Sequence, residues 1–596
     1  MMNSKKWAAT GVALLSVLTL AACGQSAKPK STSKIVGMPT KFSGQGNATT
    51  AGNNSTLKIA EVSDAPFAGI ASTSLQSNAE DADVFSPGSG NMLFNVDANS
   101  KIIDGGLANM RLDRQAKTVT ITLRKNAKWS NGAKVTAKDV EYPYEIIGSP
   151  DSPSTQYTND LAAIAGMAAF HSGKAKTISG ISFPDGETGR RVVIRYSKMV
   201  PAMQYLSSPF LLATVEPYAY LKKVAIADLM SAPQVRKRPL FTGPYKLAKV
   251  VQGESTSWVP NKYYWGKQAK IKHILIQVVS TSNVVAAFKA KKYDFAYNSP
   301  SSRYPALAKL KDYTAVGVPA RAYGFYGFNV GHFDTKTGKN VTDANAKMNN
   351  KNLRQAMMYA LDLDAVYRKF GNGISTRGNT LIPKTFKQYN DKNNPGFKYN
   401  LAKAKRLLDD AGYKKRSGDK WRTDPKGKPL TIHFAAAKGS AASDARAQYA
   451  LQQWRKLGLN VQFTDGRLMD MNSFYSILQQ PQQDQIDVYN AAWAVGNEPT
   501  PSAFYSENAA LNLSHFVSKE NTQLLEQMND NSSWNTQKRI QVFYKWQKYM
   551  NDQAVYAPDN FYLDYSMVNE RVKNYNKNPD ANQFWSKLEL TAYKPL

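Results

Sequence analysis

The stretch Lys128-Trp129-Ser130-Asn131-Gly132-Ala133-Lys134-Val135-Thr136-Ala137-Lys138-Asp139-Val140 leads from a strand pattern into a helix pattern. Just upstream, Val119, Ile121 and Leu123 alternate with Thr120, Thr122 and Arg124, the period of a half-buried strand. Within the stretch, Thr136-Ala137-Lys138-Asp139 has the form of a capping box that opens a helix through Val140 and Tyr144. Pro143 conflicts with that helix, because its ring crowds the preceding turn, and it predicts a kink or an early stop. Further along, Ile274, Ile276 and Val278 alternate as another strand, and Leu353, Met357, Ala360 and Leu361 form an amphipathic helix face. Asn400 precedes a helical stripe of Leu401, Ala404, Leu407, Leu408 and Ala411, closed by Gly412 where a left-handed residue is favoured. Strand and helix patterns interleave and no period of roughly 20–50 residues repeats. A mixed α/β chain is expected, not a solenoid or propeller.

The 596 residues allow roughly two to four domains. With 42% hydrophobic and 20% charged residues the chain is globular in composition. Its 77 Lys and Arg against 45 Asp and Glu give a net charge of +32, which suits nucleic acid, an anionic surface or simple solubility. The N-terminus chooses among these. Lys5 and Lys6 precede an apolar run from Trp7 to Leu20, too short for a membrane span of about 20 residues but suited to a signal peptide. The run ends in Leu20-Ala21-Ala22-Cys23, which looks like a bacterial lipobox, and Cys23 is the only cysteine in the chain. Residues 1–22 are therefore expected to be removed and Cys23 to carry the lipid that tethers the protein to the extracytoplasmic face of the cell membrane. Outside the cytoplasm nucleic acid is not the usual partner, so the spread-out positive charge is expected to face anionic headgroups or wall polymers. Residues 23–56, rich in Ser, Thr, Gly and Asn and free of acidic side chains, read as lipidated cysteine and flexible tether, with the folded body beginning at Leu57.

One cysteine excludes an internal disulfide and a cysteine-built metal centre. The five histidines, His171, His273, His332, His433 and His515, show no ligand spacing at the helix-face interval. No nucleophile elbow, phosphate-binding loop or zinc-protease motif is present, and Gly371-Asn372-Gly373 lacks the third glycine and leading strand of a dinucleotide fingerprint. Neither an enzyme nor a cofactor or metal is expected.

Four spaced segments carry a family resemblance. Lys128–Gly132 with Val135–Val140 is similar to the "kWsdGxpvtAeDV" block of the extracytoplasmic solute-binding proteins of the dipeptide, oligopeptide and nickel family (family 5). Thr242-Gly243-Pro244-Tyr245, with Asn261-Lys262-Tyr263-Tyr264-Trp265-Gly266 downstream, resembles the second block. Leu353-Arg354-Gln355-Ala356 with Tyr359-Ala360-Leu361-Asp362 resembles the third, and Tyr399-Asn400-Leu401 through Ala411-Gly412-Tyr413 the fourth. Ser63-Asp64-Ala65-Pro66-Phe67 adds a likeness to oligopeptide-binding lipoproteins of single-membrane bacteria. The resemblance implies an α/β type II periplasmic-binding-protein clamshell of two lobes in its three-domain form. Lobe I would combine residues 57–95, 236–322 and 556–596, with an inserted subdomain at 96–235; lobe II would span 323–555. It also implies a monomer without cofactor that captures oligopeptides by lobe closure and delivers them to two transmembrane permease subunits with cytoplasmic ATPases. Receptors for peptide pheromones, murein peptides, nickel or haem share the fold, and a basic cell-surface adhesin is the reading from a different class.

The motif residues Trp129, Trp265 and Tyr245 read as scaffold, and Arg354 and Asp362 as helix-surface pairs. Ligand contacts are expected elsewhere. Ala491–Thr500 resembles the block in which relatives carry an amine-anchoring aspartate, but here Val495 and Gly496 occupy its place, leaving Glu498 as the nearest carboxylate for a peptide ammonium. Asn329, at the end of the Tyr323–Phe328 strand, offers an amide to a peptide backbone. Trp493, Asn497, Phe504 and the Asp64–Phe67 loop complete the expected cleft-facing set.

Overall fold

The computed structural model describes residues 36–596. The expected signal peptide, Cys23 and the first part of the expected tether lie outside the described residues.

A sheet of 12 strands runs through the molecule. In chain order these are β1 (Thr56–Val62), β2 (Tyr245–Val251), β3 (Ser255–Pro260), β4 (His273–Val279), β5 (Phe295–Tyr297), β6 (Tyr313–Pro319), β7 (Ala322–Phe328), β8 (Ser375–Arg377), β9 (Thr431–Ala436), β10 (Asn460–Phe463), β11 (Val488–Ala494) and β12 (Tyr556–Asn569). The spatial order is β10-β9-β11-β7-β12-β5-β1-β4-β3-β2, and β6 and β8 also pair with β12. Each half has a parallel centre, β9 with β10 and β11 on one side and β1 with β4 and β5 on the other. Such strands are buried on both faces and need helices above and below, which makes each half an α/β layer.

The 14-residue β12 belongs to both halves. Its start pairs with β7 and its end with β6, so one continuous strand passes from lobe to lobe. The chain crosses a second time between Pro319 and Ala322, where β6 gives way to β7. Three cores result. Leu57, Ile59, Phe85, Trp258 and Ile276 pack in the β1–β4 half. Phe325, Met357, Trp454 and Trp546 pack in the other. Val119, Ile121, Trp129, Val140 and Tyr144 pack under a separate four-stranded sheet that includes Ala108–Asp113, Thr118–Leu123 and Arg191–Arg195. The architecture is the two-lobed clamshell with a subdomain.

The strands Thr118–Leu123 and His273–Val279 form where alternation places them, and the helix Leu401–Asp410 is capped by the Asn400 side chain and followed by Gly412 at φ 83°. The helix Ala137–Gly148, by contrast, does not stop at Pro143. Proline removes the amide that would bond the Asp139 carbonyl, and the Glu216 N–H donates to that carbonyl instead, at 3.0 Å. The Asp139 carboxylate accepts from the Thr136 and Tyr218 N–H groups, both at 2.8 Å, and from the Trp129 indole at 3.1 Å. The opening motif is thus the knot of the subdomain. Arg354 and Asp362 do not form a surface pair. Arg354 is buried and donates to the carbonyls of Met348 and Gln553, while Asp362 caps the following helix, Leu363–Phe370.

Residues 36–56 are not a free tether. Lys41–Phe42 pairs antiparallel with Tyr575–Asn576, the Gly44 N–H donates to the Val572 carbonyl, and Thr49 caps a short helix, Thr50–Asn53. Low hydrophobicity suggested disorder, but the backbone groups of this segment are satisfied by the C-terminal end of the chain, a long-range partnership invisible to composition. At Gly44 an added Cβ would overlap the Glu570 carbonyl, so the close approach requires glycine.

Candidate functional site

All three packed regions contribute to a chamber between the lobes. An apolar compartment of about 450 Å³ is walled by Phe210, Tyr323, Leu381, Ile382, Phe386 and Phe504, with Thr158–Asp160 on the subdomain side. A polar compartment of about 770 Å³ is walled by Asn298, Arg321, Thr385, Asn497, Asp564 and Lys577. Val495 lines both. This loop follows β11, and the Val495 N–H donates to the Arg321 carbonyl at 2.8 Å, which seats it against the lobe crossing.

Polar contacts close the chamber between the subdomain and lobe II. Asn497 Nδ2 donates to Ser207 Oγ at 2.9 Å and its Oδ1 accepts from Ser100 Oγ at 3.3 Å. The hydroxyls of Tyr205 and Tyr389 meet at 2.9 Å, and the Ala202 N–H donates to Asn529 Oδ1 at 3.3 Å. Arg114 lies over the Trp534 ring at 4.9 Å. Each contact is short but small, the kind of interface that can open and re-form.

The expected site residues divide. Phe504 lines the apolar compartment and Asn497 the polar one. Trp493 lies one layer deeper, stacked on Phe504 at 5.0 Å and tilted against Phe325 at 5.8 Å, with its buried indole N–H unpartnered. Glu498 reaches the chamber wall, but its carboxylate is already committed. One oxygen accepts from Arg539 at 2.6 Å and from Thr500 Oγ1 at 2.8 Å, and the other from the Thr500 N–H at 2.9 Å. With side chains 4% and 2% exposed, this is a closed ion pair, so Glu498 is not a vacant anchor for a peptide ammonium.

Asn329, Asp64 and Phe67 do not line the chamber. The Asn329 amide donates to the carbonyls of Gln483 and Ile486. It sits past the far end of β7, about 26 Å along the strand from Arg321 at the near end. Asp64 accepts from the Thr281 N–H at 2.9 Å, and Phe67, 2% exposed, packs edge-on against Phe85 in the lobe I core.

Two charged residues that sequence reasoning missed face the chamber without a partner among the described residues. Asp160 is on the wall of the apolar compartment, where burial raises its pKa. Arg321 is on the wall of the polar compartment, and burial lowers its pKa against a smaller opposing effect of Asp564. The available signal for Arg321 was its place as the lone charge before the apolar strand Ala322–Phe328. Among the described residues, no group of three or more His, Cys, Asp or Glu is placed to hold a metal ion, and no helix is long and apolar enough to cross a membrane.

A chamber enclosed by two lobes and a subdomain, apolar at one end and polar at the other, defines a solute-binding protein. The chain belongs to the bacterial extracellular solute-binding proteins, family 5, whose "family 5 Middle" profile matches residues 103–511. It is 40% identical over 535 residues to the oligopeptide-binding protein OppA of Lactococcus lactis subsp. cremoris (strain SK11), covering 89% of each chain. The solved structure of lactococcal OppA complexed with an endogenous peptide in the closed conformation matches with a TM-score of 0.80 at 40% identity, over 90% of this chain and 100% of that one. AppA from Bacillus subtilis in complex with a nonapeptide shares the fold at 18% identity and a TM-score of 0.65, over 90% and 99% of the two chains.

Proposed function

We propose that this chain is the substrate-binding component of an ABC importer, capturing oligopeptides in the interlobe chamber and delivering them to the permease. The observation that carries the reading is the chamber itself, together with 40% identity to an oligopeptide-binding protein. The apolar compartment has the size and lining to take a bulky apolar side chain, and the larger polar one offers amides and hydroxyls to peptide backbone. Closure moves residues 323–555 against residues 57–95, 236–322 and 556–596, which carry 96–235, and the Asn497–Ser207 and Tyr205–Tyr389 contacts hold the liganded state. The closed form then docks on two permease subunits whose cytoplasmic ATPases drive import. Cys23 carries the lipid anchor, and the protein acts as a monomer at the extracytoplasmic face. Calorimetric titration with a defined nonapeptide should give saturable one-to-one binding, while free amino acids should give none. Replacement of Cys23 by Ser should release the protein from the membrane fraction; continued retention would remove the anchor from the account.

A further inference from the structure

We propose that Arg321 is a carboxylate-binding residue of the chamber, receiving either the C-terminal carboxylate of the captured peptide or an acidic side chain within it. This rests on the peptide reading above and adds a charge preference to it. The residue occupies the crossing between β6 and β7, and its backbone is fixed from both sides. The neighbouring Ala320 N–H donates to the Tyr562 carbonyl at 2.9 Å, and the Arg321 carbonyl accepts from Val495 at 2.8 Å. The side chain, in contrast, remains accessible and makes no hydrogen bond or ion pair among the described residues.

The other charges of the compartment are already spent. Lys577 pairs with Asp564 at 3.1 Å. Behind the wall, Glu61 and Asp83 both accept from Asn298 Nδ2 at 2.8 Å. Burial, reinforced by the neighbouring Asp83, pushes Glu61 up to about 8, and burial pushes Asp83 up to about 6, so the two carboxyls together carry about one negative charge at neutral pH instead of two. The compartment lining is left with one uncompensated cation. An accessible guanidinium with no internal partner is free to take one from the ligand, and its planar fork matches a carboxylate through two parallel hydrogen bonds. Asp564, whose charge acts on Arg321, is held by Lys577.

The test uses the purified protein and four nonapeptides of one apolar sequence: free acid, C-terminal amide, amide with one internal glutamate, and free acid with that glutamate. Wild type should bind the free acid or the glutamate-containing amide at least about tenfold more tightly than the plain amide. Which of the two gains affinity identifies the source of the carboxylate. Arg321→Gln should erase the preference while leaving thermal unfolding unchanged, because the side chain has no internal partner to lose. Arg321→Lys should restore part of the preference. Equal affinity of wild type for all four peptides, or a preference that survives in Arg321→Gln, would overturn the proposal while leaving peptide capture standing. Failure of all four peptides to bind would instead remove the peptide reading, and this inference with it.

Discussion

Two buried ion pairs of the same chemistry do different jobs in this molecule. Arg571 and Asp294 meet at 2.5 and 2.7 Å with side chains 1% and 0% exposed, and Arg571 also donates to Ser55 Oγ and to the carbonyls of Thr56, Ala592 and Tyr593. All of these partners belong to lobe I. Arg539 and Glu498 meet at 2.6 Å, but Arg539 also donates to Asn529 Oδ1 and lies 5.4 Å from the Tyr205 ring. Tyr205 belongs to the subdomain, and Asn529 is the residue that Ala202 of the subdomain reaches. The first pair ties one lobe together, whereas the second sits where two bodies close on ligand. A buried pair is therefore not by itself a sign of a binding site or of a scaffold; its further partners decide which.

Breaking the first pair should have the largest effect. Arg571→Leu leaves Asp294 buried without its cation and should cost about 3–5 kcal/mol of stability in urea unfolding. The folded fraction should bind peptide with unchanged affinity. A loss of affinity with little loss of stability would erase the distinction between the pairs.

Breaking the second pair should cost less stability and more function. Glu498→Ala should lower stability by about 3 kcal/mol or less, since Arg539 keeps its bond to the Met528 carbonyl. Peptide affinity should fall on the order of tenfold through weakened closure. The fall should be equal for a free-amine peptide and its N-acetylated form, because Glu498 is spent on Arg539. A selective loss for the free amine would reinstate the anchor role. Asn497→Ala, which removes only the bonds to Ser207 and Ser100, should weaken peptide binding by about 1 kcal/mol with no measurable change in unfolding.

A separate effect, read against pH, concerns buried carboxylates with no cation bonded to them. The folded-state pKa of Glu61, about 8, lies above the usual carboxylate value, so folding takes up a proton. That contribution is fully present below the unfolded value near 4.5 and is lost as pH rises toward 8. Glu61→Gln should therefore flatten the decline of unfolding free energy between pH 5 and pH 8. An unchanged decline would place Glu61 among ordinary ionised carboxylates.

Much of the scaffold was legible because it rests on local rules. Alternation marked Thr118–Leu123 and His273–Val279, and Asn400 and Gly412 marked the ends of a helix. What failed depended on partners distant in sequence. Pro143 lies in a continuing helix because Glu216 replaces its missing donor, and residues 36–56 fold because the chain end receives them. The site was harder still. Phe504 and Asn497 reach the chamber, but the Asn329 expectation chose the wrong end of β7, since a strand's sequence does not say which end meets ligand. Glu498 was found as a carboxylate, but its partner Arg539, 41 residues away, was not. Arg321 and Asp160 were missed because an unpartnered charge is a property of the assembled chamber.

The most direct test of peptide capture is native mass spectrometry of the protein as purified, and again after unfolding, peptide removal and refolding. The account predicts masses above the bare chain that resolve into bound peptides, their loss after stripping, and their return at one per protein when a peptide mixture is added. A bare-chain mass before stripping, with no peptide taken up afterwards by protein that refolds to its original spectrum, would contradict it.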